Sequence, residues 1–266
     1  MLGSPVAHSL SPVLHRAAYQ ALGLSNWRYD QIECTERELP ALVDGLGSDW
    51  VGLSLTMPLK RVALDVADEV SQLARDVGAA NTLLLGGGRR RAENTDVAGL
   101  AHALRAAGVA EVRSAVVLGA GGTAQAALGA LRELGLATPL VVVRSTARTT
   151  DLRAAAERLG VRPIVSGTLF SEPLPEADVV VSTLPAGGAD RVAASGWRGR
   201  PVVLDVVYAG WPTTLAASAE VAGCVVVGGL DVLLHQAVEQ VRLMTGRRAP
   251  VEAMRAALAD ASGQCV

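Results

Sequence analysis

Apolar positions recur along this 266-residue chain in two rhythms. The first is helical. In "SPVLHRAAYQALGL" (11–24) apolar residues fall three and four apart, which predicts an amphipathic helix with Ser11 as its N-cap and Pro12 at the first helical position. The same spacing predicts helices in "ERELPALVDGL" (36–46), in "TDVAGLAHALRAAGV" (95–109), capped by Thr95 or Asp96, and in "TARTTDLRAAAERLG" (146–160). "KRVALDVADEVSQLARDVG" (60–78) reads as one or two helices, and the tail holds two more, at 229–246 and 250–261.

The second rhythm is extended. "WRYDQIEC" (27–34) alternates like a strand, and "WVGLSLTM" (50–57) reads as a buried one. "NTLLLGGGRRRAENTD" (81–96) predicts a hairpin turning at its glycines, with "GRRR" in a solvated turn rather than an anion site. From Ala115 onward the short runs "AVVLG", "LVVVRS", "ADVVVSTLPAG", "PVVLDVVY" and "CVVVGG" alternate with helical stretches. That order predicts a parallel sheet covered on both faces. The helical tail is free to return to the first domain.

Composition narrows the function classes. Half the residues are hydrophobic but only 3% are aromatic, so the core is aliphatic. A net charge of −2 points away from nucleic acid or an anionic membrane as the main partner. Cys34, Cys224 and Cys265 are far apart, and His8, His15, His102 and His235 show no zinc spacing, so no metal is expected and a reduced cytoplasm is the natural compartment. No signal segment opens the chain, and no run of apolar residues is long enough to span a bilayer.

The clearest chemical motif is "VLGAGGTA". Gly119 and Gly121, with Ala124 at the third small position, fit the G-x-G-x-x-G/A turn between a strand and a helix that receives a dinucleotide pyrophosphate. The next strand ends in "VVVRSTAR", with Arg144, Ser145, Thr146 and Arg148 in place of the acid that would bond an NAD ribose. Arginines there suit a 2′-phosphate and favour NADP. The other reading is a plain tight turn followed by a solvated helix start.

Lys60 is the chain's only lysine, against 23 arginines. An ammonium can give up its proton where a guanidinium cannot. Composition alone favours the plainer reading, chance survival of one lysine in an arginine-rich chain. Other polar residues near strand ends also have plain uses when read singly: Ser9 and Ser11 in a turn and cap, Thr56 in a strand, Asn81 in an Asx turn, Asp96 as a cap, Gln236 on a solvated helix face.

Together, in order, "GSPVAHSLSP", "SLTMPLK", "GAANTL", "ENTDVAG", "VLGAGGTAQAAL", "LDVVY" and "GGLDVLLHQA" make the chain closely similar to the shikimate dehydrogenase family over nearly its whole length. The family interconverts 3-dehydroshikimate and shikimate with NADP(H), on the route to aromatic amino acids. The resemblance implies an α/β fold of two domains around a cleft: a discontinuous substrate-binding domain over 1–98 and 229–266, and a Rossmann-type NADP-binding domain over 99–228. It implies that Lys60 and Asp96 form the catalytic pair. Ser9, Ser11 and Tyr208 would hold the substrate carboxylate, while Thr56, Lys60, Asn81, Asp96 and Gln236 contact the ring hydroxyls. Gly119, Ala120, Gly121, Gly122 and Thr123, then Arg144, Ser145, Thr146 and Arg148, and later Val206 and Gly229, would bind NADP(H).

There are departures. The family's initial strand is mostly missing before Gly3, so either the start lies upstream or the neighbouring strand's edge is managed otherwise. Ser54 and Val143 stand where asparagines are usual. Rival readings are a quinate/shikimate or aminoshikimate dehydrogenase, a methylenetetrahydrofolate dehydrogenase (whose Tyr-x-x-x-Lys pair is here Thr56 and Lys60), and an idle NADPH-binding sensor. Partners are expected to be small molecules, with the chain a monomer or homodimer.

Overall fold

The computed structural model describes residues 1–167 and 173–264; Cys265 lies outside them. The chain divides into two compact units, Met1–Thr95 with Leu233–Val266, and Asp96–Val232.

The first unit begins with β1 (Leu2–Gly3), α1 (Ser11–Ala21), β2 (Ile32–Glu33), α2 (Leu39–Asp44) and β3 (Gly52–Ser54). It continues through α3 (Val62–Asp65), β4 (Glu69–Val70), α4 (Gln72–Val77), β5 (Thr82–Gly86) and β6 (Arg89–Glu93). β3, β5, β6 and β4 lie side by side in that order, with β5 and β6 forming the predicted hairpin across Gly87–Gly88. β1 pairs in parallel with β2 and bridges to Leu55, so two residues suffice to place a strand between β2 and β3. Leu2, Leu39, Leu53, Leu55, Leu59 and Leu83 fill the core beneath. The arginines after the hairpin turn are each paired with an acid: Arg89 with Glu69, Arg90 with Asp44 and Arg91 with Glu93.

Two local expectations change. Ser11 is the first helical residue rather than the cap; Leu10 takes the N-cap position without a side-chain bond, and Pro12 follows one place later than expected. The strand expected over 27–34 shrinks to Ile32–Glu33. Its aromatic residues stack instead of pairing in a ladder: Tyr29 lies on His15 with ring centroids 4.1 Å apart, and Trp27 meets Tyr19 at 5.2 Å. The stretch 60–78 holds two helices, one of its two expected readings, because Glu69–Val70 pairs with β6, after which Ser71 caps α4 by accepting from Ala74 N.

The second unit opens with α5 (Asp96–Ala106) and then alternates: β7 (Ala115–Leu118), α6 (Gly122–Glu133), β8 (Leu140–Val142), α7 (Thr150–Leu159), β9 (Ile164–Ser166), β10 (Val179–Ser182), α8 (Asp190–Ser195), β11 (Val202–Asp205), α9 (Thr214–Val221) and β12 (Val225–Val227). The six strands are all parallel, in the order β9-β8-β7-β10-β11-β12. This is the doubly wound dinucleotide-binding order, whose strand sequence reverses between its first and fourth strands, here β7 and β10. β7 and β10 are buried at every position, as their unbroken Val-rich runs require. β9 carries no Val-rich signal and sits at the sheet edge with Ile164 largely exposed.

The chain returns to the first unit partway along α10 (Gly229–Thr245), from Leu233 onward, and ends in α11 (Val251–Ser262), which packs on α1. No helix among the described residues is long and apolar enough to cross a membrane.

Candidate functional site

In the first unit, Ser9 and Ser11 sit together at the start of α1. Ser9 Oγ donates to Ser11 Oγ at 3.2 Å and accepts from Ser11 N at 3.3 Å. Starting the helix at Ser11 leaves its hydroxyl off cap duty. Thr56 and Lys60 flank a tight turn, closed by Leu59 N donating to Thr56 O at 2.8 Å and anchored to β1 by Thr56 N donating to Leu2 O at 2.9 Å. Lys60 is half-buried, and its carbonyl accepts from Ala80 N at 2.7 Å. Leu55 N donates to Asn81 O at 2.8 Å. Backbone bonds thus hold the lysine turn and Asn81 in one frame.

Asn81 lies in a buried polar cluster. Its Nδ2 donates to Thr95 Oγ1 at 2.8 Å and Gln236 Oε1 at 3.3 Å, while its Oδ1 accepts from Thr95 N at 2.8 Å. Gln236 Nε2 donates to Leu233 O at 2.9 Å. One turn further along α10, Gln240 bonds to Asn81 O, Thr82, Ser54 and His15. Burial pulls the His15 imidazole down to about 3, so the ring is neutral. Sequence reasoning passed over Gln240, Thr82, Thr95 and His15 as members of this group. One signal was present: Gln236 and Gln240 are four apart in a predicted helix, which puts two amides on one helix face.

In the second unit, the glycine motif occupies the turn from β7 into α6. Gly119 has φ +115°, and a Cβ there would lie 2.5 Å from Thr183 Oγ1, just past the end of β10. Only glycine fits a turn so placed at the switch point. Gly121 is the N-cap of α6, its backbone extended and its would-be Cβ facing open space, so a ligand has room to approach the helix N-terminus with Ala120, Gly122 and Thr123. Arg144, Ser145, Thr146 and Arg148 are exposed on the segment after β8, with no acid among them. Val143 is turned into the core, and its N–H is bonded to Ser166 O at 2.9 Å; β8 ends at Val142, three residues short of the strand expected over 140–145, and the exposed segment begins at Arg144. A Cβ at Gly229 would lie 2.2 Å from Val206 O, which brings these two expected cofactor residues into direct backbone contact.

Asp96 opens α5 and is buried, and Tyr208 is half-buried beyond β11, where burial raises its phenol. Asp205, at the end of β11, is also raised by burial, although Thr213 Oγ1 donates to it at 2.7 Å.

Compared with known proteins, the chain is 36% identical to the shikimate dehydrogenase (NADP(+)) of Oleidesulfovibrio alaskensis, covering 98% of this chain and 94% of that one. The chain belongs to the shikimate dehydrogenase family. Its residues 1–83 match the family model of the shikimate dehydrogenase substrate binding domain, and 229–259 match that of the shikimate 5′-dehydrogenase C-terminal domain. The crystal structure of Mycobacterium tuberculosis shikimate dehydrogenase is 46% identical with a TM-score of 0.88, covering 97% of each chain. The family's enzyme from Thermus thermophilus, solved with NADP(H) and shikimate, is 34% identical with a TM-score of 0.85, over 98% of this chain and 97% of that one.

Proposed function

We propose that this chain is an NADP-dependent shikimate dehydrogenase that reversibly reduces 3-dehydroshikimate to shikimate in the cytoplasm. The observation that carries the reading is the backbone frame joining the Lys60 turn to Asn81, with Gln236 bonded to that asparagine. It gathers three family-matched residues from distant parts of the sequence. A substrate-binding domain of 1–98 with 229–266 and a cofactor domain of 99–228 go with this reading.

The second unit suits a phosphorylated dinucleotide. The Gly119 turn, the open approach at Gly121 and the N-terminus of α6 would take the pyrophosphate. Arg144 and Arg148, with Ser145 and Thr146, would hold the 2′-phosphate, and Val206 and Gly229 the nicotinamide end. When bound, the cofactor supplies or accepts the hydride.

The chain's own residues bind, orient and move the proton. Ser9, Ser11 and Tyr208 hold the substrate carboxylate. Thr56, Asn81 and Gln236 orient the ring hydroxyls, with carboxamides that are themselves fixed by hydrogen bonds. Lys60 and Asp96 handle the proton that leaves or joins the reacting oxygen, and a protonated Lys60 stabilises charge developing there during reduction.

The test is NADPH absorbance with the purified chain, offering shikimate, quinate and aminoshikimate with NADP or NAD. Rapid turnover of shikimate with NADP, lost in Lys60→Ala, is expected. Preference for another ring would replace the reading with a cousin's. Tight NADPH binding without turnover would replace it with a sensor.

A further inference from the structure

The Gln240 carboxamide uses all its hydrogen-bonding capacity inside the first unit. Its Nε2 donates to Asn81 O at 3.1 Å and to Thr82 Oγ1 at 2.9 Å. Its Oε1 accepts from Ser54 Oγ at 2.8 Å and faces His15 Nε2 at 3.2 Å. The orientation has one solution. A backbone carbonyl can only accept, so turning the amide over would set oxygen against oxygen at Asn81. His15 must then carry its proton on Nε2, and its Nδ1 lies 3.4 Å from the Tyr19 hydroxyl, which donates to it.

The direction propagates. With its lone pair facing Gln240, the Thr82 hydroxyl donates to Asn81 Oδ1 at 3.1 Å. Thr95 N–H donates to the same oxygen at 2.8 Å, and the two donors together turn Asn81 Nδ2 toward Thr95 Oγ1 and Gln236 Oε1. Three elements meet on one side chain: β3 through Ser54, β5 through Thr82, and α1 through His15. Gln240 is 1% exposed and touches no open surface, so it acts through others.

We infer that Gln240 is a positioning residue for the ring-binding amides, acting with Thr95 N–H to hold the orientation of Asn81 and, through it, of Gln236. The inference rests on the proposed roles of those two residues and deepens them. Ser54 takes part as the donor that fixes the Gln240 oxygen, which gives a use to the serine standing where the family usually has asparagine.

Two variants of the full-length chain test it. Gln240→Met keeps length and removes every bond; Thr82→Val removes only the hydroxyl relay. KM for shikimate, KM for NADP and kcat are measured, together with the side-chain amide resonances of Asn81 and Gln236 in the unliganded protein. KM for shikimate is expected to rise roughly tenfold in Gln240→Met and roughly threefold in Thr82→Val. KM for NADP stays unchanged, and the Asn81 amide resonances shift in both variants. Folded variants with unmoved resonances and unchanged KM for shikimate would overturn the inference and leave Gln240 a core-packing residue. If Gln240→Met does not fold, Thr82→Val decides by the same readings. A wild-type chain that does not turn over shikimate sinks the proposed function, while the resonances still decide the role of Gln240 without substrate.

Discussion

The two units carry their chemistry in opposite ways. In the second, the residues that suit a dinucleotide are local: a turn of five consecutive residues, Gly119 to Thr123, and an exposed segment from Arg144 to Arg148. Their shape follows from backbone geometry, such as the φ of +115° at Gly119, and their arginines reach solvent. In the first unit, Ser54, Asn81, Thr95, Gln236 and Gln240 come from four separate stretches, are buried, and bond chiefly to one another. Backbone shape secures the glycine turn one residue at a time. A closed hydrogen-bond network secures the buried amides of the first unit, so its members depend on each other.

The largest expected effect separates chemistry from cofactor binding. Lys60→Ala is expected to lower kcat about 10²- to 10⁴-fold, the usual share of a proton-handling side chain. NADPH binding, measured by fluorescence titration, should stay within twofold of wild type, on the order of experimental scatter. A parallel loss of NADPH affinity would break the division of labour between the units. The converse substitution is Gly119→Ala. It forces a left-handed backbone and drives a Cβ to 2.5 Å from Thr183 Oγ1. A cost of about 1–3 kcal/mol is expected, seen as a lower Tm and roughly tenfold weaker NADPH binding, with shikimate affinity unchanged.

This contrast also explains what could be read before folding. The parallel sheet and its glycine turn were legible because unbroken Val-rich runs and a G-x-G-x-x-A spacing are local patterns. The division of residues between ladder and packing was not: Trp27 and Tyr29 alternate like strand residues, yet Tyr29 stacks on His15 and Trp27 meets Tyr19 edge-on. At the substrate side, Lys60, Asn81 and Gln236 stood out only through their family-like blocks, since each has an ordinary use when read singly. Gln240 lacked even that, because its role depends on β3, β5 and α1 converging on it.

His15 gives the first unit's network a pH signature. Its ring is held neutral down to about pH 3 by burial, whereas an unfolded imidazole takes up a proton near 6.5. The unfolded state therefore binds the extra proton between those values, and stability falls as pH drops below 6.5. From pH 7 to pH 5 this one group should cost about 2 kcal/mol. His15→Gln keeps an N–H for Gln240 without a titrating ring. Its urea-derived stability should lose about 2 kcal/mol less than wild type over the same range. Equal losses would mean that the ring takes up its proton in the folded protein as readily as in the unfolded one.

The smallest effect tests the arginine segment and sharpens the comparison furthest. Arg144 is exposed, so the bond proposed between it and a 2′-phosphate would be screened by solvent and salt. Arg144→Ala is expected to raise KM for NADP roughly fivefold, about 1 kcal/mol, while KM for NAD stays put. Equal effects on both cofactors would remove Arg144 from the 2′-phosphate. The double substitution Arg144→Ala with Arg148→Ala then asks how the segment is built. Two independent exposed charges should lose affinity additively, within about 0.5 kcal/mol. Thr82→Val combined with Gln240→Met should not: once the Gln240 amide is gone, the Thr82 hydroxyl has lost the donor that directs it, and removing it adds little. Additive arginines beside non-additive amides would show independent contacts in one unit and a single interdependent network in the other. Additivity in both would reduce the first unit's network to a set of separate bonds.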